Sequence, residues 1–116
     1  MRSPGDQRAD QDEVLALAAE VLTHLAEPTR LRLIRLLAEG ERDVATLTGQ
    51  VRASRSSVSQ HLGRLRLAGL VRSRRDGRRM LYQVTSANLV ALADQAVRHA
   101  EHLVDELPAH HRHSSV

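Results

Sequence analysis

Apolar residues recur along this chain with two different periods. From Asp12 to Leu25, the residues Val14, Leu17, Ala18, Val21, Leu22 and Leu25 fall three or four apart, the spacing of one face of an α-helix. A second helical stretch, "TRLRLIRLLAE", turns Leu31, Ile34 and Leu37 inward. Pro28 suits its first turn, where a missing N–H does no harm, and Gly40 stops it. Asp43 is placed to cap a short third helix carrying Val44, Leu47 and Val51, and Ser54 opens a fourth that ends near Gly69. The period then drops to two. In "LVRSRRDGRRMLYQV", Val71, Ser73 and Arg75 alternate with Leu70, Arg72 and Arg74, and the Asp76-Gly77 pair between two such runs signals a hairpin. From Ala87 to about Glu106 the helical period returns, with Leu89, Leu92, Ala96, Ala100, Leu103 and Leu107 on one stripe, until Pro108 ends it.

The predicted order is therefore ααααββα, mainly α with a β-hairpin wing. The third helix, a turn, the fourth helix and the hairpin make a winged helix-turn-helix. A chain of 116 residues is one domain. Residues 12–107 read as the folded unit, residues 1–11 ("MRSPGDQRADQ") as a flexible polar leader, and residues 108–116 as a histidine-rich tail. The longest apolar runs are short and broken by Arg or Glu, which predicts no membrane span, and the N-terminus lacks a hydrophobic signal core. The expected location is cytoplasmic.

Charge changes the picture. The formal net charge is +3, but it is unevenly spread. Between Arg52 and Arg79 lie nine arginines against the single acid Asp76, a net of +8. The rest of the chain carries eight arginines against thirteen acids, a net of −5. A solvated charged face usually mixes both signs; a stripe of one sign in one segment is the footprint of a polyanion binder. Tyr82 is the only aromatic residue, so the stacking platforms that hold single strands are missing and the expected partner is double-stranded DNA. With no cysteine, disulfides, thiolate metal sites and thiol catalysis are excluded. No glycine-rich phosphate loop is present, and the serines of "SRSSVS" share one helix with His61 without a base and its orienter, so no enzyme is expected.

On the fourth helix, Val58, Leu62 and Leu65 fall together and face the core. The opposite face carries Ser56, Gln60 and Gly63, flanked by Ser57, Ser59 and Arg64. Small hydroxyls, an amide and a glycine allow close approach and hydrogen bonds to base edges and phosphates. Arg55 adds charge at the helix N-terminus, where backbone N–H groups already favour phosphate. The wing adds Arg72, Arg74, Arg75, Arg78 and Arg79 for phosphate or minor-groove contact. His61, at the edge of the buried stripe, reads as a packed, hydrogen-bonded residue.

The stretches "LAEPTRLRLIRLL" and "SRSSVSQHLGRLRLAGLVRSRRDGRRMLYQV" resemble the ArsR/SmtB family of metal-responsive bacterial transcriptional regulators, over about residues 14–107. The resemblance implies a homodimer of winged helices joined through the first and last helices. It also implies binding to a palindromic operator, usually as a repressor released by metal. One metal site of the family uses cysteines at the third helix, which here reads "DVATLTGQV" and has none. Another lies across the paired last helices. Ser86 and Asn88 stand where its first ligand pair would be, and His99 and His102 supply the second.

Five of the seven histidines lie between residues 99 and 113: His99, His102, His110, His111 and His113. His99 and His102 are neighbours on one helical face, and a break at Pro108 would let the tail bring His110 and His111 back toward them. This pattern resembles the nickel/cobalt-sensing branch of the family. Glu101 also matches a ligand position there, although the helical wheel sets it on another face from His99. Imidazole and carboxylate without thiolate suit Ni(II) or Co(II), with Zn(II) a third fit. Other readings use the same residues: a regulator that activates, or that senses metal weakly or only through a partner protein; and, in a different class, a histidine-rich metal-buffering protein. A solubilising tail and a protonation switch are further uses of the histidines.

Overall fold

The structure is a computed structural model that describes residues 4–107, with side chains from residue 10 onward. Eight elements follow in order: α1 (Pro4–Leu25), α2 (Pro28–Leu37), β1 (Arg42–Asp43), α3 (Val44–Gln50), α4 (Arg55–Leu67), β2 (Val71–Asp76), β3 (Arg79–Val84) and α5 (Ala87–Glu106). This is the expected winged helix-turn-helix, with two additions. First, α1 begins at Pro4, eight residues before Asp12. The segment "PGDQRADQ" has no apolar stripe, but apart from Gly5 it consists of residues a helix tolerates, opened by a proline. Second, the wing is a three-stranded antiparallel sheet in the order β1-β3-β2. Strand β1 pairs Arg42 with Tyr82 and Asp43 with Leu81. Two residues are too few to carry a period, so β1 left no pattern to read.

The caps follow from side chains at the expected places. Asp43 accepts the Thr46 backbone N–H at 2.8 Å and starts α3; Ser54 accepts that of Ser57 at 3.1 Å and starts α4. Glu27 caps α2 by accepting the Arg30 backbone N–H at 2.8 Å. At the end of α4, the Leu70 N–H reaches the Leu65 carbonyl and the Gly69 N–H that of Arg66, with Gly69 at φ +79°. That is a Schellman closure, and the left-handed residue it needs is the glycine.

The core is drawn from every helix: Leu25 of α1; Leu33, Ile34 and Leu37 of α2; Leu47 of α3; Val58, Leu62 and Leu65 of α4; and Leu89 and Ala93 of α5, joined by Leu70 just before β2 and Val71 at its start. Leu31, expected inward, only packs against this core from its edge, and Leu33 takes the central place. The stripes of α1 and α5 are mostly uncovered: Val14, Leu15, Leu17 and Leu22, and Leu92, Leu103, Val104 and Leu107, are all exposed in the single chain.

Candidate nucleic-acid interface and histidine face

Helix α4 is held from behind by Val58, Leu62 and Leu65, all without solvent exposure. Its periodicity then forces the other side outward. Arg55, Ser56, Ser59, Gln60 and Arg64 are exposed and their side chains make no hydrogen bond or ion pair among the described residues, whereas Ser57 is half-buried. Gly63 shares this face, and a Cβ there would meet nothing within 4 Å. Leu67, four residues further along the same face, is 84% exposed. Being apolar, it does not stand out as a contact residue in the sequence, although its spacing from Gln60 and Gly63 places it on their face. An apolar group on such a face suits the methyl of thymine.

A second feature was missed. Arg30, only 7% exposed, donates through Nε to the His24 carbonyl at the end of α1, and its Nη1 lies 3.1 Å from Nδ1 of His61 on α4. A guanidinium only donates, so Nδ1 accepts and the ring proton sits on Nε2, which faces Glu27 Oε2 at 3.7 Å. His61 is thus the packed, hydrogen-bonded residue expected. The cluster ties the C-terminus of α1 and the N-terminus of α2 to the middle of α4, and so fixes how α4 is presented. Burial alone would raise the Glu27 carboxyl, but the backbone N–H groups of Arg30 and Thr29 and the charge of Arg30 outweigh it and hold it below the usual carboxylate range.

The wing does not present its five arginines alike. Strands β2 and β3 pair from Val71–Val84 to Asp76–Arg79, leaving Gly77 and Arg78 as a two-residue loop. Gly77 has φ +63°, and among the described residues only glycines have a positive φ, so Arg78 does not: the pattern of a type II′ turn with glycine first. The loop is therefore Gly77-Arg78, one position later than the Asp-Gly pair read from the sequence, and it puts Arg78 at the tip. Arg74 instead lies against β1 and its approach, where Nε and Nη2 grip the Glu41 carboxylate at 2.8 and 2.9 Å. Arg79 is 3.3 Å from Asp76 and 3.7 Å from Asp43, and Arg72 donates to Gln83 at 3.2 Å. Arg75 and Arg78 have no such partner among the described residues.

The carboxylates opposite the wing respond. Arg74's hydrogen bonds and the charges of Arg74 and Arg72 hold Glu41 below the usual range. The Thr46 hydroxyl and backbone N–H, helped by the charges of Arg79 and Arg55, do the same for Asp43.

On α5, His99 and His102 lie one turn apart on an exposed face, beside the uncovered apolar stripe, and Glu101 is exposed on another side of the helix. Ser86 caps the helix by accepting the Asn88 backbone N–H at 3.1 Å. Among the described residues no group of three or more His, Cys, Asp or Glu side chains is placed to hold a metal ion. His110, His111 and His113 lie outside the described residues. None of the described helices is long and apolar enough to cross a membrane.

Comparison with known proteins gives consistent matches. Residues 27–73 match the family model described as bacterial regulatory protein, arsR family. The chain is 42% identical over 101 residues to the HTH-type transcriptional regulator KmtR of Mycobacterium tuberculosis, covering 87% of this chain and 78% of that one. It is 38% identical over 88 residues to the HTH-type transcriptional repressor SmtB of the same species, covering 76% and 65%. Among solved structures, it superposes with a TM-score of 0.71 and 30% identity on a homodimeric winged helix-turn-helix DNA-binding domain from Mycobacterium bovis, a possible ArsR-family regulator, covering 93% of this chain and 98% of that one. The relatives are named as regulators, not as enzymes.

Proposed function

The chain belongs to the ArsR family of bacterial regulatory proteins, and from that premise we propose that it is a cytoplasmic, homodimeric repressor of transcription that binds double-stranded operator DNA and responds to Ni(II) or Co(II). The carrying observation is the outward face of α4, where the side chains of Arg55, Ser56, Ser59, Gln60 and Arg64 are exposed and make no hydrogen bond or close ion pair among the described residues, as is true of Arg75 and Arg78 of the wing. Ser57 and Arg72 adjoin this surface, while Arg74 and Arg79 are engaged by carboxylates of the same molecule. Gln60 suits adenine and Arg64 guanine or phosphate, while the wing arginines neutralise the backbone. Repression is favoured by the name of the SmtB relative.

The apolar faces of α1 and α5 support the dimer. Val14, Leu15 and Leu17 are each more than half exposed, as is Leu103, and a second copy would cover them. The related domain from Mycobacterium bovis is described as homodimeric. Two copies of α4 about one DNA turn apart would read the halves of a palindrome.

For the metal response, the support is the donor set. His99 and His102 would hold the ion through two imidazoles on one face of α5, a fit that is half a site. Further ligands would come from His110 and His111 or from the second copy, with Glu101 a carboxylate nearby in sequence. Bound there, the ion would supply a cross-link whose cost to the DNA-competent dimer appears, by linkage, as an equal cost of DNA to metal affinity. The half-filled set equally favours a second reading, a regulator that binds DNA without direct metal control. A gel shift separates them, on a duplex selected from a random pool by the purified protein, with Ni(II), Co(II), Zn(II) or no metal. Wild type is expected to release the duplex with Ni(II) or Co(II), and the His99→Ala/His102→Ala variant to retain it. Identical lanes throughout overturn metal control and leave DNA binding standing.

A further inference from the structure

Guanidinium and carboxylate meet in the Arg74–Glu41 pair as they meet in the strongest surface pairs: two parallel N–H···O bonds, at 2.8 and 2.9 Å. The same fork is what a guanidinium offers to phosphate. Arg74 therefore already grips an internal anion with the atoms it would turn toward DNA. Glu41 stands just before β1, and β1 is fixed by its pairing with β3, so the carboxylate is tethered at the wing's flank rather than diffusing beside it. Arg79 is likewise engaged by Asp76 and Asp43. Arg75 and Arg78 are exposed, have no partner among the described residues, and the type II′ turn sets Arg78 at the tip.

We infer that Glu41 is an internal stand-in for phosphate that holds Arg74 out of the DNA contact set, so that the wing docks on the duplex through Arg75 and Arg78. This rests on the DNA-binding reading above and deepens it by dividing the wing's arginines into two kinds. Its physical consequence concerns counting. Each phosphate neutralised by the protein steepens the fall of log affinity with log salt by about 0.9. A wing with five free arginines would adhere to any polyanion; one with an occupied Arg74 neutralises fewer phosphates and leaves more of the affinity to base contacts made by α4.

The test is equilibrium binding of a fluorescent mixed-sequence duplex over a series of salt concentrations. Because the dimer carries two wings, Arg78→Ala is expected to make the slope shallower by about 1.8, and Arg74→Ala in the protein with Glu41 intact to leave it unchanged. Glu41→Gln is expected to steepen it by about 1.8 and to tighten binding several-fold at low salt, because Arg74 is freed in both copies. Arg74→Ala added to Glu41→Gln then returns the slope to that of the wild type. Glu41 and Arg74 both lie at the surface, and thermal melting of each variant checks the fold. If Arg74→Ala alone flattens the slope as Arg78→Ala does, or Glu41→Gln leaves it unmoved, the stand-in role is overturned while DNA binding survives. If the wild type does not bind the duplex at all, the DNA-binding reading falls and takes this inference with it.

Discussion

Arg30 shows how much a single residue hides in plain text. It stands three, four and seven positions before Leu33, Ile34 and Leu37, which are all buried, so the helical period places it on the inner face of α2. A charged residue there needs partners, and the sequence does not say which. They come from α1, through the His24 carbonyl, and from α4, through His61. Glu27 closes the same cluster, and its pH dependence follows from its lowered pKa. A carboxyl held below the usual range stabilises the fold fully above that range, and the contribution is lost as pH falls through the lowered value. The urea midpoint of the wild type is expected to exceed that of Glu27→Gln most at neutral pH, with the gap narrowing in acid. A gap of constant width from neutral pH into strong acid would show that the charge of Glu27 is not what matters.

At the scale of elements, the helix-turn-helix was legible almost to the residue because its signals are local. Asp43 and Ser54 cap, Gly69 closes, and Val58, Leu62 and Leu65 repeat at the helical period. The hairpin was legible as a hairpin but not in its turn, since an Asp-Gly loop and a Gly-Arg loop both set Gly77 at a positive φ and only the strand register, with Asp76 opposite Arg79, separates them. Gly63 offers a prediction that separates folding from binding. Its φ is not positive and nothing lies within 4 Å of a Cβ built there, so the fold does not require glycine. Gly63→Ala is expected to stabilise the protein by about 0.5–1 kcal/mol through helix propensity. The added methyl would stand on the face proposed to meet the duplex, and on that reading binding weakens. Unfolding by urea and duplex titration of the same sample check both halves, and a variant that gains stability without losing affinity removes Gly63 from the interface.

The whole molecule carries more apolar surface than one copy can cover. Helix α1 buries only Leu25 among its large apolar side chains, and α5 buries Leu89 and Ala93 near its start while Leu103, Val104 and Leu107 face solvent. Two amphipathic stripes on the first and last helices are stable against each other across a dimer axis, which is why the homodimer is proposed. Leu103→Glu would place a charge where the second copy removes water. The dimer dissociation constant is expected to rise at least about 100-fold with the helical content retained. Sedimentation at a series of concentrations measures this, and an unchanged dimer places the contact elsewhere.

By itself the sequence determined the five helices, the hairpin and the clustering of positive charge, because periodicity, caps and composition act between residues close in the chain, whereas the two-residue strand β1 left no such signal. Only the tertiary structure decided which arginines remain available. Glu41 and Arg74 are thirty-three positions apart and meet because β1 joins the sheet beside β3. Arg30 finds His61 only once α2 packs on α4. A pairing between distant residues leaves no period to read; it exists when the chain has folded, and here it determines how much of the positive charge is free to meet an anion.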